Sequence, residues 1–136
     1  MQKATPLITV ESIEACLPFW TERLGFQATV SVPHGDAIGF VILEKGGVEL
    51  MYQSLASVEE DLGKMAPGHP GLSRKLADSD AALFIEVESL SPILEAMAGA
   101  DVVVPRRQTF YGMDELFVRA PCGTLVGFAA KVPEPK

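Results

Sequence analysis

The chain has 136 residues, 48% hydrophobic and 21% charged, with a formal net charge of −7. That size suits one domain burying about two thirds of its unfolded surface, and the balance excludes disorder and fibrous structure. The charge disfavours nucleic acid, whose phosphates call for clustered Lys and Arg, and the pairs Arg74-Lys75 and Arg106-Arg107 lack interleaved aromatics. The longest clean apolar run, Ala37 to Leu43, falls far short of the roughly 20 residues of a membrane helix. No apolar signal segment precedes Glu11, so a cytoplasmic product is expected. Cys16 and Cys122 are too few and too differently placed for a disulfide framework or a zinc site, and read as free thiols.

In chain order, Leu7-Ile8-Thr9-Val10 reads as a short strand, and Ser12 as the N-cap of a helix whose apolar face is Ile13, Cys16, Leu17, Trp20 and Leu24. Gly25 ends that helix, and Pro18 inside it predicts a kink or irregular turn. Phe26–Val32, Ala37–Leu43 and Val48–Tyr52 read as strands joined by turns at His34-Gly35-Asp36 and Glu44-Lys45-Gly46-Gly47. Residues 54–80 form a connector, with a short acidic helix over Ser57–Leu62 and loop chemistry at Pro67-Gly68-His69-Pro70-Gly71, suited to a flap over a site. The opening pattern then returns: Ile85-Glu86-Val87-Glu88-Ser89-Leu90 reproduces Ile8-Thr9-Val10-Glu11-Ser12-Ile13, with the same Val-Glu-Ser core, 77 positions later. A helix from Ser91-Pro92 to Gly99, a strand at Val102–Val104 and a hairpin of Tyr111–Arg119 with Thr124–Ala129 complete the second copy. Two copies make a duplicated module rather than a solenoid.

This tandem strand-helix-three-strand organisation resembles the vicinal oxygen chelate superfamily, which includes glyoxalase I, bleomycin resistance proteins, fosfomycin resistance enzymes and extradiol dioxygenases. The likeness rests on Ile8-Thr9-Val10, on Leu17-Pro18-Phe19-Trp20-Thr21-Glu22-Arg23-Leu24-Gly25-Phe26, on Thr109–Met113 and on Val118–Leu125. Where the family usually has Asp-Pro-Asp-Gly, this chain has Ala120-Pro121-Cys122-Gly123. The resemblance implies an α+β fold in which tandem βαβββ modules (1–53 and 81–136, joined by the connector) form one domain. It implies a curved eight-stranded sheet, a cup, with the helices packed outside.

Metal-dependent members hold a divalent ion with His, Glu or Gln on the first, fourth, fifth and eighth strands. Carried onto this sequence, those places fall on Thr5, Glu49, Ala82 and Gly127, and Glu49 alone is a strong ligand. Shifting along the fifth strand brings in Glu86 but no imidazole, and His34 and His69 read as loop residues. The expectation is therefore no metal and no cofactor, with Gly127 standing at the place that Glu49 takes in the first copy. By strand alternation, Glu49, Met51 and Gln53 share one face, as do Phe84 and Glu86. The expected ligand-binding set is Phe40 (or Val41), Glu49, Met51, Phe84, Tyr111, Phe117 and Arg119, a mostly apolar lining with a few polar groups, and a Glu49–Arg119 pair is the structural alternative. The function implied is a homodimeric small-molecule binding protein that sequesters an amphipathic, cationic or aromatic ligand; the alternative is a glyoxalase- or dioxygenase-like enzyme with a degenerate or displaced metal site.

Overall fold

The computed structural model describes residues 1–133; residues 134–136, the end of the expected second module, lie outside the described residues. Eight strands form, as expected, hydrogen-bonded as two four-stranded mixed sheets, and with the helices they make an α+β fold. The first sheet holds β1 (Leu7–Val10), β2 (Gln27–His34), β3 (Ala37–Lys45) and β4 (Val48–Ser54) in the order β1-β4-β3-β2. The second holds β5 (Ala82–Glu86), β6 (Asp101–Gln108), β7 (Met113–Arg119) and β8 (Leu125–Lys131) in the order β5-β8-β7-β6. The repeat is thus visible in topology, because each copy pairs its first and last strands in parallel and its last three as an antiparallel meander. The chain divides into two compact units, the first ending at Ser79 and the second starting at Asp80.

In the first unit, the row Ile8, Tyr52, Val41 and Ser31 and the row Leu50 and Leu43 run across one sheet face. Val41, Leu43 and Tyr52 are fully buried there. Against this face lies the segment after Pro18, which is a short π-helix over Phe19–Arg23 instead of the long α-helix expected from Ser12. Pro18 supplies no N–H and cannot continue a regular ladder, so the chain enters through turns and widens into i→i+5 bonding, consistent with the irregularity predicted at that proline. Ser12 still acts near the start, its hydroxyl accepting from the Ala15 N–H at 3.3 Å. Gly25 ends the segment with φ +76°, a left-handed conformation that a side chain would oppose.

Trp20 is buried and edge-on to Phe19 and Phe26, at centroid distances of 5.1 and 5.0 Å. Its indole N–H donates to the Tyr52 hydroxyl at 3.1 Å, which ties the helical layer to the middle of β4.

The connector is more ordered than its loop chemistry suggests. Helix α1 (Leu55–Met65) starts at Ser54, whose hydroxyl accepts from the Ser57 N–H at 3.2 Å, and buries Leu55 and Val58. Helix α2 (Leu72–Asp78) escaped the sequence reading because it buries no residue and so carries no apolar stripe. Its Arg74 pairs with Glu11, just after β1, at 3.1 Å and with Asp78 of the same helix at 3.2 Å. In the second unit, α3 (Ser91–Ala96) has Pro92 in its first turn, and its flanking residues Leu90 and Met97 are buried. Strand β6 continues through Pro105 to Gln108; as an edge strand it tolerates a residue that cannot donate to a ladder.

Removing the Tyr52 hydroxyl leaves a buried indole N–H without that acceptor. Tyr52→Phe is expected to lower unfolding free energy by about 1–3 kcal/mol in urea titration, with the fold retained.

Candidate ligand site

The face of the first sheet turned away from Trp20 is built from three cross-strand rows. Leu7, Met51, Ile42 and Val30 form an apolar row across all four strands, and Thr9, Gln53, Phe40 and Val32 form the next. On the other side of the apolar row stand Glu49, Glu44 and Gln27. Phe40, Glu49, Met51 and Gln53 are each partly exposed on this face, whereas Val41, offered as the alternative to Phe40, belongs to the core.

The polar row is organised by Glu49. Its Oε2 accepts from Lys3 Nζ at 2.9 Å and its Oε1 from the Thr5 hydroxyl at 3.0 Å. Glu44 is its direct partner across the Gly46-Gly47 turn, and the two carboxyl groups are hydrogen-bonded. Two opposed carboxyls this close cannot both ionise freely. Glu49 keeps the charge: the bond from Glu44, then those from Lys3 and Thr5, hold it at about 2. Glu44 is pushed above the usual carboxylate range, first by its hydrogen bond to Glu49 and then by burial and by the charge of Glu49. Lys3 and Glu44 were missing from the expected site. Glu44 was findable, since a two-residue turn at Gly46-Gly47 places positions 44 and 49 opposite each other.

The second sheet repeats the plan with different residues. Phe84, Gly127, Phe117 and Val104 form one row, Glu86, Ala129, Glu115 and Arg107 the next, and Ala82, Leu125, Arg119 and Asp101 a third. Phe84 is 52% exposed and its ring lies 6.3 Å from that of Phe117. Gly127 explains where the Phe117 ring goes: a Cβ at residue 127 would stand 2.4 Å from Phe117 Cε2. The missing side chain is space used by an aromatic ring. Tyr111 lies in the turn before β7 rather than in the strand, half exposed, and its hydroxyl donates to Glu115 at 2.8 Å. Glu115, which the sequence reading passed over, is fully buried and also paired with Arg107 at 3.3 Å. Arg119 is exposed and donates to the Gly123 carbonyl at 3.0 Å, so Arg119 and Glu49 each have partners within their own module.

The register also corrects the equivalence of Gly127 with Glu49. Ile8 pairs with Tyr52 and Ile85 with Phe128, so Gly127 corresponds to Met51, and the counterpart of Glu49 is Leu125, opposite Ala82. The metal-ligand places implied by the resemblance do not fit a divalent ion: in the first module Thr5 is bonded to a Glu49 already paired with Lys3, and in the second neither Ala82 nor Leu125 nor Gly127 carries a donor. Among the described residues no three His, Cys, Asp or Glu side chains are grouped to hold a metal. His34 ends β2 with Nδ1 3.3 Å from Glu60, and His69 is exposed between α1 and α2.

Two outcomes follow from this geometry. Carboxyl carbon NMR titration should place Glu44 above 4.5 and Glu49 near 2, with Glu49→Gln returning Glu44 toward its ordinary value. By linkage, Glu49 contributes stability above 4.5 that is lost as pH falls toward 2, while Glu44 contributes stability in acid that is lost as pH rises through its raised value. Separately, Gly127→Ala should displace the Phe117 ring, read as changed ring shifts of Phe84 and Phe117, with a modest stability loss of about 1–3 kcal/mol.

No protein-family model matches the chain, and no curated protein matches it either. Solved structures do. A glyoxalase/bleomycin resistance protein/dioxygenase from Nocardioides is 18% identical, with a TM-score of 0.70 over 100% of this chain and 88% of that one. The bleomycin-binding protein of Streptomyces verticillus, complexed with copper(II)-bleomycin, is 20% identical, with a TM-score of 0.59 over 98% of each chain. Lactoylglutathione lyase from Agrobacterium tumefaciens is 12% identical, with a TM-score of 0.71 over 96% of this chain and 94% of that one. The duplicated modules, their strand order and these likenesses together give this chain the fold of the glyoxalase, bleomycin resistance and dioxygenase proteins of the vicinal oxygen chelate superfamily.

Proposed function

We propose that the protein is a small-molecule binding protein that sequesters an amphipathic ligand through the sheet faces turned away from the buried core, without a catalytic metal. The observation that carries this reading is Phe84, an aromatic ring half exposed on a sheet face, tilted against a Phe117 ring seated over Gly127. Exposing such a ring to water is unfavourable in a protein with nothing to cover it, and an apolar surface bordered by a few polar groups suits a flat organic ligand. On the first sheet, taken by itself, Phe40 and Met51 offer apolar surface with Glu49 as a polar group; on the second, Tyr111 and Arg119 are the polar groups near Phe84 and Phe117. The bleomycin-binding protein of similar fold, complexed with copper(II)-bleomycin, supports a ligand-holding role.

The enzymatic alternative would use Glu49 as a general base. A carboxylate held at about 2 is a poor proton acceptor near neutrality, because general-base efficiency needs a pKa close to the working pH. Glu49 therefore fits recognition better than proton transfer.

The reading also takes the protein to be a cytoplasmic homodimer. Val30 and Val32 on edge strand β2, and Val102 and Val103 on edge strand β6, leave apolar side chains exposed for a second copy.

Thermal-shift screening with cationic glycopeptides, aromatic drugs and glutathione adducts should find stabilising ligands of the wild-type chain. Phe84→Ala and Phe117→Ala should each abolish or strongly weaken those shifts; retention of every response in both variants would remove this surface from the site.

A further inference from the structure

Resting on that reading, we propose that the polar end of the first sheet is an ammonium site, that Lys3 fills it from within the chain, and that the ligand it takes is an amphipathic primary amine that displaces Lys3.

The chain itself shows which chemical group the site accepts. An ammonium, Lys3 Nζ, sits 2.9 Å from Glu49 Oε2, while the Thr5 hydroxyl fixes the other oxygen at 3.0 Å and so orients the carboxylate. Glu44 lies directly opposite Glu49, whose hydrogen bond and charge raise its pKa. An ammonium is the cation this corner already holds. The corner suits a divalent ion poorly, since such ions gather several oxygen ligands.

The two partners of the ion pair differ in a way that favours exchange. The Glu49 side chain is 21% exposed and held by three neighbours, whereas the Lys3 side chain is 67% exposed and lies in the irregular segment before β1. Both partners of this pair reach water, so the contact is screened and Lys3 can exchange with an incoming ammonium. The carboxylate stays in place for the incoming group.

What lies beside the carboxylate defines the rest of the ligand. The next row along the sheet, Leu7, Met51, Ile42 and Val30, stands about 7 Å away by strand geometry and is apolar from edge to edge. Met51 and Ile42 are partly exposed and Leu7 and Val30 more so. An amine whose ammonium replaces that of Lys3 lays a hydrocarbon or aromatic body of a few carbons across this row. Lys3, being tethered, competes at a high effective concentration and sets a threshold that weakly apolar amines do not pass.

Isothermal titration calorimetry of the full chain with 4-phenylbutylamine, 4-phenyl-1-butanol and 4-phenylbutyrate tests the proposal, with circular dichroism verifying the fold of each variant. The wild type should bind the amine more tightly than the alcohol and the acid. Lys3→Met should tighten the amine by about tenfold while leaving the alcohol unchanged. Glu49→Gln should erase the preference of amine over alcohol, and Thr5→Val should reduce it. Equal amine affinity in wild type and Lys3→Met, or a preference for amine that survives Glu49→Gln, overturns the ammonium site. If amine and alcohol bind alike in every variant, the ammonium site fails while small-molecule binding stands. If none of the three probes binds any variant, binding of small amphipathic molecules fails with it.

Discussion

The constraint on which the structure depends is that each sheet has one face committed to the core. Side chains alternate along a strand, so once Tyr52 is fixed by the Trp20 indole, residues 49, 51 and 53 are committed to the opposite face. The parallel pairs β1 with β4 and β5 with β8 then carry that choice to the sheet edges. A slip of one residue would bury Glu49 and expose Leu50. The buried tryptophan and its hydrogen bond therefore do more than stabilise the first unit; they decide which chemistry faces a ligand.

Much of this was legible in the chain. Alternating apolar runs and turn residues mark the strands, and the Val-Glu-Ser repeat marks the duplication in the sequence itself. What escaped has definite physical reasons. The helix after Ser12 reads as a regular amphipathic stripe, yet regular α-helix does not run through Pro18, and a π-helix follows it. Helix α2 has no buried residue, and its ion pair from Arg74 reaches Glu11, far back in the chain, which periodicity cannot detect. Parity puts Glu49 and Met51 on one face of the first sheet and Phe84 and Phe117 on one face of the second, as the register has them, but counting along the repeat put Gly127 two residues from its equivalent. Only strand register, which depends on pairing across the sheet, fixes that offset.

The two modules treat the same framework differently. In the first, a carboxylate at the polar end is satisfied by a lysine, a threonine and a neighbouring carboxyl of the same unit. In the second, the corresponding place is Leu125 opposite Ala82, and the adjoining row is filled by Phe117 over Gly127. One acid on that face, Glu115, is buried, paired with Arg107 and hydrogen-bonded by the Tyr111 hydroxyl. Glu49 and Glu115 are thus each paired within their own sheet, and apolar rows lie beside them. Among the described residues neither module brings together the convergent donors with which a protein holds a catalytic ion.

This chain keeps the sheets of a chelating fold while the places implied for metal ligands hold apolar or internally paired groups. Elemental analysis of protein purified without chelators should find nickel, zinc, iron and manganese each far below one equivalent per chain. One equivalent of any of them, retained through dialysis and lost in Glu49→Gln, would overturn that reading.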